Sequence, residues 1–222
     1  DMNTSQTYWT EEVYKIYEVE KDFNHNVDND IEFYHPEDKE RLEKAVRKCM
    51  RDGTPFDLEN RFISAKGNHK IVRSIGKGEY KKGEIIRVYG SFQDITEKKE
   101  KEKALHNSIA LYKELFNAVK SGVIIYRTED KGNSFLISEM NKAAQKICHV
   151  TIDDCRNKNV ETVFDNVGEF GLLGILKKVW QTGKREKMPK KKYKDENIEA
   201  WFENEIFKLP NGDVCVTFDI LD

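Results

Sequence analysis

Long hydrophobic runs are missing from this 222-residue chain. The two longest apolar segments are Gly122-Val123-Ile124-Ile125-Tyr126 and Phe170-Gly171-Leu172-Leu173-Gly174-Ile175-Leu176. Both fall far short of the 18 or more residues that cross a bilayer, so no membrane span is expected. Cysteine is scarce, with four residues (Cys49, Cys148, Cys155, Cys215) and no C-x-x-C pair. That spacing excludes a zinc ribbon and a dithiol redox motif, and reads as free thiols of a reducing compartment. A surplus of either charge is also absent: 38 Lys and Arg face 40 Asp and Glu, for a net charge of -2. A nucleic-acid partner is therefore not expected. The first residues, Asp1, Asn3, Thr4, Ser5 and Gln6, are polar and carry no secretory signal pattern. A cytoplasmic location is the resulting expectation.

What the chain does contain is charge and aromatic surface in a repeated order. It is 35% charged and 38% hydrophobic, with 11% aromatic residues. The aromatic content argues for packed cores, and the high charge for two small domains with much surface. Between them, Thr96 to Lys103 holds no apolar side chain except a threonine methyl. Leu105, Ile109, Tyr112, Leu115, Phe116 and Val119 then return at steps of three and four. That is one stripe on an amphipathic helix, with Thr96 expected at its N-cap and Gly122 as its stop. About 24 helical residues reach roughly 36 Å, which makes a connecting rod.

The flanking halves share a plan. In the first, Pro36-Glu37-Asp38 opens a helix that should end near Gly53, and three strands follow at 56–63, 69–75 and 85–92. Lys66-Gly67-Asn68 supplies the first turn, and a looser loop over 76–83 the second. In the second, a helix at 172–181 stops at Gly183, and strands follow at 184–193, 198–209 and 214–221, the last two joined by Pro210-Asn211-Gly212-Asp213. Val214, Val216, Phe218 and Ile220 alternate with polar neighbours or Cys215, as one buried sheet face requires.

Several segments carry a resemblance. Gly90-Ser91-Phe92-Gln93-Asp94-Ile95-Thr96 resembles the end of a PAS domain, where a closing strand passes through Asp-Ile-Thr into a signalling helix. Tyr8-Trp9-Thr10-Glu11-Glu12 resembles the entry to that fold, and His35-Pro36-Glu37-Asp38 the start of its central helix. In the second half Gly122 to Tyr126 and Phe135 to Ser138 resemble its first two strands. Asn141-Lys142-Ala143-Ala144 and Asn157-Lys158-Asn159-Val160 are similar to its helix start and the turn before its central helix. The chain is thus similar to tandem PAS domains of a sensory signal-transduction protein, most often the sensor region of a histidine kinase. The resemblance implies an α+β chain of two PAS-like domains, each an antiparallel sheet with helices on one face. The expected limits are 1–96, with its first strand missing, a connecting helix at 97–120, and 121–222. The sequence stops within a strand pattern, and a C-terminal output domain is expected beyond it.

Catalysis has little support: no nucleophile has a base and an orienting partner at recognisable spacing. A thiol enzyme is a distant alternative. Haem and covalent flavin are not expected, because no His occupies the central helix of the second half and Val160 stands where an adduct-forming Cys belongs. His35, His106 and His149 read as helix-terminal or solvent-facing residues, and no metal site is expected. The run Lys190-Lys191-Lys192-Tyr193-Lys194 reads as a solvated strand face.

What remains is the apolar interior of the second domain. Val123, Ile125, Phe135, Ile137, Met140, Leu176, Trp180, Phe202, Val216 and Phe218 are the candidates for lining a small-molecule pocket, and a filled core is the alternative. The ligand, if there is one, is unknown. Asp94, Ile95, Thr96 and Asp219 are the candidates for passing a signal into flanking helices. Leu105, Ile109, Tyr112, Leu115 and Phe116 are the candidates for homodimerisation by parallel helix pairing. The two competing functions are a ligand sensor and a non-sensing dimerisation module.

Overall fold

The computed structural model describes residues 1–2, 7–24 and 26–221. Two compact units divide within one long helix, as Asp1–Asn107 and Ser108–Asp222. In the first unit, helices α1 (Glu11–Tyr17), α2 (Val27–Ile31) and α3 (Pro36–Asp52) precede strands β1 (Phe56–Ile63), β2 (His69–Lys81) and β3 (Glu84–Asp94). The strands form an antiparallel meander in the order β1-β2-β3. Helix α3 starts where Pro36 needs no hydrogen-bond partner and Glu37 and Asp38 meet the positive helix end. The His35 imidazole accepts the Glu37 N–H there, and Gly53 closes the helix in the left-handed region at φ 69°.

The second hairpin differs from expectation. Strand β2 continues through Gly76 and Gly78 to Lys81, and a tight turn at Lys82 and Gly83 replaces a loose loop. Those glycines do not break the strand; they admit neighbouring backbone. A Cβ on Gly78 would lie 2.7 Å from the Gly53 Cα, and one on Gly90 would collide with the Ile75 carbonyl.

Helix α4 (Thr96–Ala118) is continuous. Asp94, not Thr96, supplies the capping oxygen: its Oδ1 accepts the Thr96 N–H at 2.9 Å. The Thr96 hydroxyl instead accepts the Ile71 N–H at 2.9 Å. The helix also ends before Gly122, which is already the first residue of a strand.

The second unit contains β4 (Gly122–Arg127), β5 (Leu136–Met140), the short helices α5 (Lys142–Cys148), α6 (Ile152–Cys155), α7 (Val160–Val163) and α8 (Val167–Phe170), then α9 (Leu172–Thr182), β6 (Glu186–Lys194), β7 (Glu199–Lys208) and β8 (Val214–Leu221). All five strands form one antiparallel sheet, ordered β5-β4-β8-β7-β6. The sequence α9, Gly183, β6, β7, β8 repeats the plan α3, Gly53, β1, β2, β3. The sheet carries two irregularities with structural purpose. A register shift between Ile125 and Tyr126 lets both Ile137 and Met140 face the core, although they are three residues apart. Another shift between Met188 and Lys191 accommodates Pro189 on edge strand β6. Among the described residues, no helix is long and apolar enough to cross a membrane.

Candidate ligand site

The two interiors are packed differently. In the second unit the core leaves a void of only about 60 Å³. That is room for a few waters and far below the size of ligand pockets. Phe202, Val216 and Phe218 border it, together with Ile124, Tyr126, Phe170 and Tyr193. Phe135, Ile137, Met140 and Leu176 are buried in the same core but do not border the void. Trp180 lies at its margin, half-buried, with Gly132 behind its ring and the Lys208 ammonium 5.1 Å from the ring centre.

Val123 and Ile125 fall on the other face of the sheet. Antiparallel pairing sets Ile124 against Val216 and Tyr126 against Val214, so those two face the core. Val123 and Ile125 pair with Thr217 and Cys215 on the opposite face. Val123 to Tyr126 of β4 carry apolar or aromatic side chains without a break, and alternation alone cannot orient such a run.

The first unit holds a cavity of about 590 Å³ between its helices and sheet, a volume in the range of small-molecule sites. No sequence feature pointed to it. Gly76 and Gly90, paired across β2 and β3, form part of its wall. Aromatic side chains form much of its wall: Trp9 and Tyr17 have ring centres 4.2 Å apart, and Tyr17 and Phe92 5.3 Å apart. The Tyr34 hydroxyl shares a 3.1 Å hydrogen bond with Ser74. Burial pushes the Tyr34 phenol up to about 12, so it stays a neutral donor. The Asp30 carboxyl on the same wall is also shifted toward its neutral form. Burial raises its carboxyl to about 7, partly offset by the Asn26 backbone. Its Oδ1 is buried without a hydrogen-bond partner.

Strand β3 walls this cavity from Val88 to Gln93 and then passes into α4 through the predicted signal residues. The Ile95 N–H donates to the Ile71 carbonyl at 2.8 Å, and Thr96 is bonded to Ile71 and Asp94 as described above. Lys99 adds a 2.6 Å ion pair to Glu59 of β1. At the far end of α4, the buried Asn141 holds the chain. Its Nδ2 donates to the carbonyls of Phe116 (3.2 Å) and Ser121 (3.0 Å), while its Oδ1 accepts from Val123 and Ala144. Asp219 sits exposed on β8, opposite Glu203.

The proposed dimer stripe is exposed: Leu105 is 63% and Leu115 61% accessible, and Ile109 and Tyr112 are also open. Only Phe116 is half-buried, stacked on Tyr112 with ring centres 5.4 Å apart.

All four cysteines are buried and free. Burial pushes the Cys148 thiol up to about 12 and Cys215 up to about 11, and also raises Cys49 and Cys155. Raised pKa values suppress thiolate and therefore nucleophilic chemistry. Val160 is fully buried. His149 closes α5 and His106 is exposed on α4. No cluster of three metal-ligating side chains occurs among the described residues.

Comparison with known proteins assigns the fold of the first unit, since residues 6–92 match the PAS fold family. The first domain is a PAS domain. The second repeats its helix-and-meander plan on a larger antiparallel sheet and is PAS-like. Over 97 residues, or 44% of the chain, the sequence is 30% identical to the probable diguanylate cyclase DgcE of Escherichia coli K12. The matched stretch spans only 9% of that relative's length. A sensory box histidine kinase/response regulator from Burkholderia thailandensis is 27% identical over 37% of this chain and 64% of that chain, with a TM-score of 0.31. A domain of the corresponding protein from Geobacter sulfurreducens is 17% identical, covering 51% of this chain and 95% of that one, with a TM-score of 0.40.

Proposed function

We propose that this chain is a cytoplasmic sensory module in which the first PAS domain takes up a small molecule and α4 passes its state onward. The contrast between cavities of about 590 Å³ and about 60 Å³ carries this reading. The sensing site moves from the second domain, where the sequence suggested it, to the first. The second domain is a packed relay. Among the described residues no His or Cys lines the larger cavity. Gln93 on the cavity wall is one residue from Asp94, which caps α4. A shift in β3 therefore reaches the helix with no flexible segment between.

The output is a signalling enzyme, read as a histidine kinase from the motifs. The similarity to a probable diguanylate cyclase makes that the second reading. Leu105, Ile109, Tyr112 and then Leu115 or Phe116 recur along α4 at steps of three and four, the spacing of a coiled-coil seam. Homodimerisation through that seam supplies the two-packing element that a switch needs.

Native mass spectrometry of the gently purified protein tests the sensor reading. Retained small-molecule mass that disappears on Gly76→Phe supports it. An empty protein whose Trp9 environment responds to no small molecule favours the non-sensing dimerisation module.

A further inference from the structure

The wall of the larger cavity is charged with one sign only. Glu12 and Asp30 line it, and no Lys, Arg or His does among the described residues. Other charges near Asp30 are already engaged: on α2, Asp28 pairs with Arg47 of α3 at 3.2 Å. From α1, the Tyr17 hydroxyl donates to the Asp30 backbone carbonyl at 3.4 Å and leaves the carboxylate alone. From the sheet, Ser74 and Gln93 are neutral, and the Ser74 hydroxyl is shared with Tyr34. Asp30 Oδ1 is thus a buried acceptor with no donor among the described residues, on a residue that lines the same cavity as the Trp9, Tyr17, Tyr34 and Phe92 side chains.

A buried acceptor without a donor is costly, and a donor carried by a ligand removes the cost. An ammonium group supplies both an N–H and a positive charge, and aromatic walls attract cations and accept an apolar body. An anion would meet two carboxylates and no cation. We propose that the first domain's cavity binds a protonated amine with an aromatic or apolar body, its ammonium on Asp30 and its body among Trp9, Tyr17, Tyr34 and Phe92. This rests on the reading of that cavity as the sensing site. A cation at Asp30 favours the ionised carboxylate, so affinity rises between about pH 6 and about pH 8 as Asp30 loses its proton. Tyr8, Glu12, Tyr17, Tyr34 and Tyr89 are the other titratable groups on the wall among the described residues, and none supplies a positive charge.

The test uses phenethylamine, phenylacetate and 2-phenylethanol as probes, followed by NMR at the Trp9 indole N–H. Phenethylamine should shift that resonance, bind more tightly at about pH 8 than at about pH 6, and bind about tenfold or more weakly to Asp30→Asn. Phenylacetate should leave the resonance unmoved. The proposal is overturned if phenylacetate binds as well as the amine, or if Asp30→Asn leaves amine affinity unchanged. No shift at about 10 mM phenethylamine, where a Kd of a few millimolar would register, also overturns it. The pH dependence of amine binding by the parent protein probes the same contact without any variant, and an affinity that does not rise toward about pH 8 counts against it. Binding of 2-phenylethanol or phenylacetate in place of the amine removes the cation and leaves small-molecule sensing standing. Failure of all three probes, with no retained mass in native spectrometry, removes both.

Discussion

Replacing Asp30 by Asn tests how much strain this carboxylate places on the empty first domain. Burial raises it from 3.8 to about 7. That is about three pH units, and each is worth about 1.4 kcal/mol, so the ceiling is about 4 kcal/mol. Asp30 is only half-buried and the cavity admits water, so solvent screening brings the expected figure to about 1–2 kcal/mol. The sign follows from proton counting. Between about pH 4 and about pH 7 the folded state keeps a proton that the unfolded chain has lost, so stability falls as pH rises through that window and levels off above it. Asn mimics the protonated acid and has no such slope. The variant should match the parent near pH 4 and exceed it by about 1–2 kcal/mol near pH 8. Urea unfolding followed at the Trp9 indole resonance isolates the first domain, since Trp180 and Trp201 belong to the second. A stability gap that is constant with pH, or that closes toward alkaline pH, would show that Asp30 is not held protonated by burial.

Asn141→Ala removes a side chain that serves five backbone groups, and should cost the second domain about 2 kcal/mol or more in denaturant melts. Asn141→Asp should be no better, because a carboxylate would face the Phe116 and Ser121 carbonyls. Val216→Phe overfills the void of about 60 Å³ and should cost about 1–3 kcal/mol while leaving ligand uptake by the first domain unchanged. Lost uptake would return the binding site to the second domain. Ile109→Lys with Leu115→Lys should shift the protein from dimer to monomer in analytical ultracentrifugation. A parent protein that sediments as a monomer at high micromolar concentration would remove α4 as the dimer seam.

The features legible in the sequence are those fixed by local rules. His35-Pro36-Glu37 marked the start of α3, Gly53 and Gly183 marked helix ends, and the alternation of Val214, Val216 and Phe218 oriented β8 correctly. Ile220 broke that pattern and is exposed, because β8 outruns the core. The orientation of β4 was not legible from its unbroken run Val123 to Tyr126, where no polar side chain alternates. It follows from its register against β8, a non-local fact. Gly76 and Gly78 misled for a related reason: a glycine that admits a neighbouring backbone looks in sequence like one that turns the chain. The cavity had no signature at all. A void is the volume left after side chains from α1, α2, α3 and the sheet are placed, and no residue type announces it. Asp30 itself lies in the run Asn26-Val27-Asp28-Asn29-Asp30, where a single apolar residue sets no periodicity. Only the single helical turn of α2, capped by the Asn26 side chain, turns that carboxylate toward the interior.

A sensor needs its ligand to distinguish two states, and the proposed site supplies that difference. With the cavity empty, ionised Asp30 has an acceptor without a donor, which favours any arrangement that lets water reach it. With an ammonium in place, the closed arrangement becomes the better one. A complete reversal of a two-state equilibrium needs about 5.5 kcal/mol of differential binding. One charge-assisted hydrogen bond supplies about 1.5–3 kcal/mol, so Asp30 alone would tune the equilibrium and not saturate it. The remainder must come from the aromatic walls, and those walls include Phe92 on β3. Phe92 is two residues from Asp94, whose carboxylate caps α4, and pairs across the sheet with Ser74, the partner of Tyr34. Ligand contact, the Tyr34–Ser74 hydrogen bond and the helix cap therefore lie on two adjacent strands. Movement of one is resisted or permitted by the others. The α4 seam begins nine residues beyond Thr96, at Leu105, within the same continuous helix. On the proposed reading, a change in the direction in which β3 delivers Asp94 would alter the rotation of the seam, and switching through it requires that the paired helices have two discrete packings.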